Sequence, residues 1–192
     1  MRCYACSSLS FSIVCKQCKE ELFVPTIRTR TIGTLDVISF YRYSTLASLL
    51  HTKHKPEGYR IYKILAKMTM KPFMQEFLEH DEGDVYLVGI DEIVKNGYAH
   101  VSLLTHAMKT KKSIPQHATL MARNRVNYSG KSLQFRLNNP RDFVYSGKKG
   151  IDVILVDDIM TTGLTLQEAQ KVLLEHHVNV LFALVLADVE EV

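Results

Sequence analysis

Apolar residues follow two rhythms along this chain. Val153 to Val156 is an uninterrupted run of β-branched and aliphatic side chains, as a parallel strand needs when both faces are covered. Past it, the spacing Leu166, Ala169, Val172, Leu173 is helical. The eight residues Val180 to Ala187 read as a last buried strand, since a helix crossing a bilayer needs about 20. Upstream, Phe23 to Arg30 reads as a strand or hairpin continuing the N-terminal segment, and Leu35 to Tyr43 as an extended stretch of alternating character. Ile61, Leu65 and Met68 fall at i, i+4 and i+7, predicting a helix that Gly58 starts and that Pro72 ends or kinks before Phe73 to Leu78. Val85 to Ile90 reads as a strand and Tyr98 to Met108 as a helix with Val101, Leu104 and Met108 on one side. Ala118 to Ala122 reads as a strand and Gly130 to Leu137 as a short helix. Strands alternating with helices are the signature of βαβ units.

Composition adds one refinement. The 192 residues, 46% of them hydrophobic, suit one globular domain plus a small module at the start. Cys3-x-x-Cys6 and Cys15-x-x-Cys18 use all 4 cysteines, and two intervening residues is the spacing that puts two sulfurs on one zinc ion at about 2.3 Å. Residues 1 to 24 hold too few apolar groups for a core of their own, so a metal would supply much of the folding free energy there. Disulfides are the competing reading, but Met-Arg-Cys-Tyr-Ala-Cys lacks the unbroken apolar stretch of a secretory signal. A four-cysteine site is closed, which argues against zinc-dependent catalysis.

The junction after Val156 carries the chemistry. Asp157 and Asp158 come at the carboxyl end of the expected strand, followed by Met160, Thr161, Thr162, Gly163, Leu164 and Thr165 and then the helix. Three hydroxyls, a residue free to take positive φ and a helix N-terminus suit a phosphate, because the first turn leaves N–H groups unpaired and carries partial positive charge. The carboxylates would accept hydrogen bonds from sugar hydroxyls or hold a divalent metal. The plainer alternative is that the aspartates merely end a strand, with Thr165-x-x-Glu168 an ordinary capping box.

The string Val-Ile-Leu-Val-Asp-Asp-Ile-Met-Thr-Thr-Gly-Leu-Thr resembles the phosphoribosyl pyrophosphate (PRPP) loop of type I phosphoribosyltransferases. That resemblance implies a parallel α/β sheet flanked by helices. It also implies that Asp157 and Asp158 contact ribose hydroxyls, while Met160, Thr161, Thr162, Gly163, Leu164 and Thr165 wrap the 5-phosphate, with Mg2+ accompanying bound PRPP.

Charge is uneven. Residues 95 to 149 contain eleven Lys and Arg against a single acid, Asp142, whereas the whole chain is only +4. Tyr98, Tyr128, Phe135, Phe143 and Tyr145 lie among these cations. Cations that neutralise phosphates beside rings that stack on unpaired bases suit single-stranded nucleic acid, with Arg123, Arg125, Lys131, Arg136, Lys148 and Lys149 as candidate contacts. The alternatives are that Phe135 and Phe143 belong to the core and that the cations serve one small ligand or form a solvated face.

Further fragments resemble the ComF-type competence proteins over nearly the full length: the four cysteines, Lys55-Pro-Glu-Gly58 before a helix, Leu120-Met-Ala-Arg-Asn-Arg125, Arg136-Leu-Asn-Asn139 and the PRPP-type loop. One segment departs from that pattern. Family members commonly carry Pro-Leu-His and then Arg-Gly-Phe-Asn-Gln where this chain has Ile90-Asp-Glu-Ile and Asn96-Gly-Tyr-Ala-His100, leaving Lys95 or Arg123 to supply charge for a pyrophosphate. The resemblance implies a zinc-binding module over residues 1–30 and a phosphoribosyltransferase-like domain over 31–192. It implies a role in natural transformation, binding incoming single-stranded DNA on the cytoplasmic side, peripheral to the inner membrane and its DNA translocation machinery. The alternative is an active phosphoribosyltransferase. Such an enzyme needs a hood to orient its acceptor, and with 27 residues after Thr165 the hood would have to come from residues 19 to 50, where no base pocket is evident.

Overall fold

A computed structural model describes residues 1–80, 83–90, 97–124, 128 and 132–189. Its centre is β7 (Asp152–Met160), with β8 (Asn179–Asp188) on one side and β3 (Val85–Gly89) on the other. The six-stranded sheet is completed by β2 (Leu35–Arg42) and β1 (Arg28–Ile32) beyond β8, and by β4 (Ser113–Gln116) beyond β3. All neighbours are parallel except the β1–β2 hairpin. A separate two-stranded antiparallel ribbon joins β5 (Leu120–Ala122) to β6 (Phe143–Tyr145).

Period-two alternation in β7 sends Ile154 and Val156 to one face and Val153 and Leu155 to the other, all four fully buried. On the first face lie α2 (Tyr43–Leu50), α3 (Pro56–Met68), α4 (Met70–His80) and α5 (His100–Ala107), with Leu46, Leu50, Tyr62, Leu65, Met74 and Leu104 buried among them. The second face is covered by α7 (Leu164–Glu175) and the β5–β6 ribbon, through Leu166, Ala169, Leu173, Leu120, Phe143 and Tyr145. The core-forming pattern expected of a covered parallel sheet is therefore present, and the fold is α/β.

Three boundaries differ from the sequence reading. Strand β7 does not stop at Asp157 but runs on to Met160, because pairing with β8 continues as far as Asp188. The first long helix breaks at Thr69, three residues before Pro72, which then sits in the first turn of α4. Proline there lacks an N–H that would have had no partner anyway, whereas a continuous helix would set its ring against an earlier carbonyl. Phe23 caps α1 (Lys16–Leu22) instead of opening a strand, and β1 belongs to the main sheet. The short helix α6 spans Leu133–Asn138; the expected start at Gly130 lies outside the described residues.

Residues 1 to 23 are not a satellite. Cys3, Ile13, Val14, Cys18 and Phe23 are buried within the same apolar cluster as Phe40 and Leu46, and the Tyr41 hydroxyl donates to the Phe23 carbonyl at 3.0 Å. A division at residue 30 falls inside β1.

Candidate functional site

Gly163 sits between β7 and α7 at φ +78°, as the residue preceding the first helical turn. That left-handed backbone costs glycine little and any other residue much more. The position is doubly restricted, since a Cβ there would lie 2.1 Å from Ile32 Cδ1. Glycine thus turns the chain so that α7 begins after a three-residue turn at the carboxyl end of β7, with Thr161 and Thr162 just ahead of it and Thr165 in its first turn, whose N–H groups have no partner within the helix. The capping box does not form: no side chain caps α7, and Glu168 instead accepts from the Arg141 N–H at 3.0 Å and the Asp142 N–H at 2.7 Å. This carboxylate fastens the start of β6 onto α7.

Two guanidinium groups converge on the turn. Arg30, from β1, donates to the Thr161 carbonyl and pairs with Asp188 at 3.2 Å. Arg136, from α6, donates to the Thr161 hydroxyl and to the Tyr128 carbonyl, the latter at 3.1 Å. A helix N-terminus, a threonine-rich bend and two arginines together form a concentrated anion-attracting surface.

The adjacent aspartates separate, because successive side chains of a strand leave on opposite faces. The Asp157 carboxylate accepts from the N–H of Asp158 at 2.8 Å and remains partly exposed. Asp158 turns toward the face of α3 and α5 and is 4% exposed. One of its oxygens, Oδ2, receives the Tyr62 hydroxyl at 2.9 Å and Lys53 Nζ at 3.0 Å, with His100 Nε2 at 3.5 Å. Burial alone would raise the Asp158 pKa. The charges of Lys53 and His100 and the hydrogen bonds from Lys53 and Tyr62 outweigh it, pulling the carboxyl down to about 2. Burial foremost, with the Asp158 charge behind it, pushes the Tyr62 phenol well above its usual range, so it stays a donor.

Lys53 comes from the 3-10 turn His51–His54, which α3 holds from the far side. Gly58 makes this approach possible: a Cβ there would lie 2.1 Å from the Thr52 carbonyl oxygen and 2.4 Å from the Tyr98 hydroxyl. The Lys55-x-x-Gly58 fragment is thus a packing device that places Lys53 next to Asp158.

At the N-terminus the four cysteine sulfurs lie within 4.8 Å of one another, with Cys6 and Cys15 Sγ 3.8 Å apart. No pair is disulfide-bonded. Sulfurs on one tetrahedral ion with bonds of about 2.3 Å stand about 3.8 Å apart, so the cluster fits a metal. Cys3 Sγ accepts from the Cys15 N–H at 3.3 Å and Cys15 Sγ from the Cys18 N–H at 3.4 Å. Burial would raise the Cys3 pKa, but backbone N–H groups directed at the sulfur bring it down to about 6; bonds from Ser8 likewise lower that of Cys6. Thiolate is thus favoured at Cys3 and Cys6, whereas hydrogen bonds to the neighbouring sulfurs of Cys6 and Cys15, with burial behind them, push the Cys18 thiol up in the metal-free cluster; a bound cation would offset that crowding of negative charge.

Among the described residues, the cations expected to follow nucleic acid do not form one patch. Arg136 is at the turn, while Arg123 is exposed and 4.0 Å from Asp142. Lys148 and Lys149 precede β7, whose nine residues put them about 30 Å from the turn. The Lys148 ammonium lies over the Tyr86 ring, 5.0 Å from its centre. Arg125, Lys131 and Lys95 lie outside the described residues. Phe143 and Tyr145 are core, and Tyr128 is buried with the guanidinium of Arg141 4.4 Å from its ring centre and that of Arg136 at 5.6 Å. Those three rings are not open to bases; Tyr98 and Phe135 are partly exposed.

No protein-family model matches the chain, and no curated protein does. Among solved structures it is similar to an adenine phosphoribosyltransferase, with 14% identity, a TM-score of 0.44 and 89% of each chain covered. It is also similar to adenine phosphoribosyltransferase from Saccharomyces cerevisiae, with 16% identity, a TM-score of 0.44, and 90% of this chain and 88% of that one covered. Hypoxanthine phosphoribosyltransferase from Staphylococcus aureus gives 18% identity and a TM-score of 0.42, over 64% of this chain and 62% of that one. The chain thus spans less than two thirds of that enzyme's length. At these values the site must be read from this chain's own residues.

Four residues of the site had no signal in the motif: Arg30, Lys53, Tyr62 and His100. Lys53 belongs to the basic run Lys53-His54-Lys55 just ahead of Gly58, which was a usable cue. Tyr62 sits beside Ile61 on a helix read from the spacing of Ile61, Leu65 and Met68, and only the packing of α3 against β7 reveals its hydroxyl contact.

Proposed function

We propose that this protein binds a phosphoribosyl pyrophosphate-type ligand at the β7–α7 turn and acts in DNA uptake, holding single-stranded DNA on the cytoplasmic side. The observation that carries the reading is the left-handed Gly163 opening α7, with Arg30 and Arg136 both bonded to Thr161. A 5-phosphate at this bend takes hydrogen bonds from the first turn of α7 and the threonine hydroxyls, and neutralisation from the arginines. Asp157 accepts from the ribose hydroxyls, and Asp158 acts beside it from the other face. The four cysteines hold a structural zinc ion. The placement in DNA uptake is supported by the motif order along the chain, from paired cysteines to the phosphate loop. No helix among the described residues is long and apolar enough to cross a membrane, so contact with translocation machinery would be peripheral.

Thr162→Val tests the cradle. It removes a hydroxyl but no volume, so PRPP affinity should fall about tenfold or more, the worth of one hydrogen bond to a charged group, while thermal stability is kept. Unchanged calorimetric binding would defeat the reading. The DNA arm is tested by salt titration with an oligonucleotide. When Arg123, Lys148 and Lys149 become Ala, the slope of log affinity against log salt should flatten by about 0.7 for each phosphate that no longer meets a cation. A slope near zero in the parent protein counts against DNA binding.

A further inference from the structure

Of the three groups on Asp158 Oδ2, two are buried and one is partly exposed. Tyr62 is fully buried on α3, and the His100 side chain, at the start of α5, is 6% exposed. Lys53 is 23% exposed on a flexible four-carbon stem. Removing the lysine would not orphan the carboxylate, since the Tyr62 hydroxyl at 2.9 Å and His100 at 3.5 Å remain. The usual cost of breaking a buried ion pair is thereby reduced. The position matters as much as the exposure. Asp158 lies at the carboxyl end of β7, five residues before Gly163, where ligands of open parallel sheets bind.

We propose that Lys53 is a ligand-contacting cation, parked on Asp158 in the free protein and transferred to the pyrophosphate-type anion at C1 of the bound sugar. This rests on the reading of the turn as a 5-phosphate cradle. With the 5-phosphate at Gly163 and the ribose beside Asp157, the far end of the ligand lies toward the α3 and α5 face. Among the described residues, Lys53 is a cation held there, with the ring of His54 against that of His100 behind it at 5.8 Å. Asp158 is then a positioning residue: it keeps the ammonium near the site and its pull sets how strongly an anion must compete. No bond is made or broken in this exchange; a salt bridge to carboxylate is replaced by one to phosphate.

The test is calorimetric titration of the metal-loaded full chain with PRPP, inorganic pyrophosphate and ribose 5-phosphate, comparing the parent with Lys53→Met, Lys53→Arg and Tyr62→Phe. Lys53→Met should weaken PRPP and pyrophosphate about tenfold, as removal of one charged hydrogen bond does, and leave ribose 5-phosphate within about twofold. Lys53→Arg should restore most of that affinity. Tyr62→Phe, which disturbs Asp158 but keeps the ammonium, should not reproduce the selective weakening. Equal weakening of all three ligands by Lys53→Met, or none, overturns the proposal, as does a Tyr62→Phe profile identical to that of Lys53→Met. If the parent fails to bind ribose 5-phosphate yet binds pyrophosphate through Lys53, the phosphate cradle falls and the lysine assignment stands.

Discussion

Gly163 and Asp158 show how much depends on single positions at the end of β7. Gly163→Ala must place a methyl at φ +78° against Ile32, and should cost about 1–3 kcal/mol in denaturant unfolding. It should also displace the turn enough to weaken PRPP. Asp158 predicts a pH dependence with a definite sign. Its carboxyl is depressed to about 2 in the folded chain from an ordinary 3.8, so the stability it contributes is present above about pH 4 and lost as pH falls through about 2. The size is on the order of 2 kcal/mol. Acid titration of unfolding should show that loss in the parent, and Asp158→Asn should be flatter across the same window.

Among the elements, α7 depends on the β5–β6 ribbon more than on its own cap. Glu168 serves two backbone N–H groups of another segment where local pattern suggested a bond within its own first turn. Glu168→Ala should therefore leave α7 helical but free the Arg141 and Asp142 amides, costing about 1–3 kcal/mol. Hydrogen exchange at those two amides, faster in the variant with the α7 interior unchanged, would check it. The strands follow a related rule. β7, β8 and β3 were legible because each carries an apolar run that can be buried on both faces, and β2 by its alternating character. β4, Ser-Ile-Pro-Gln, was not. It is an edge strand of mixed character that exists because β3 offers a free side, and β5 was recognised but belongs to a separate ribbon.

For the whole molecule, the cysteine module and the sheet share one apolar cluster. Chelation of a bound metal, or Cys18→Ser, should accordingly destabilise the entire chain. A single thermal transition should move down by about 5 °C for ~2 kcal/mol lost; an early melting of the module alone, with the main transition unmoved, would show the two to be independent. Charge is also a property of the whole. The excess of cations across residues 95 to 149 is real in sequence, but folding sends Arg136 to the phosphate turn and Lys148 and Lys149 to the opposite end of β7. A strand touching both groups would have to pass along the outside of the domain.

Local chemistry was already decided by the chain itself: the buried strands, the glycine where backbone must turn left-handed, the hydroxyls beside it, and four cysteines spaced for one ion. These depend on neighbours in sequence, where side-chain periodicity and backbone sterics act. The partners of Asp158 and Thr161 depend on segments brought together from far along the chain, Lys53 and Tyr62 across about a hundred residues and Arg30 across 131. No local pattern encodes such contacts. They arise because packing α3, α5 and the β1–β2 hairpin around one sheet brings those side chains to the carboxylate and the bend.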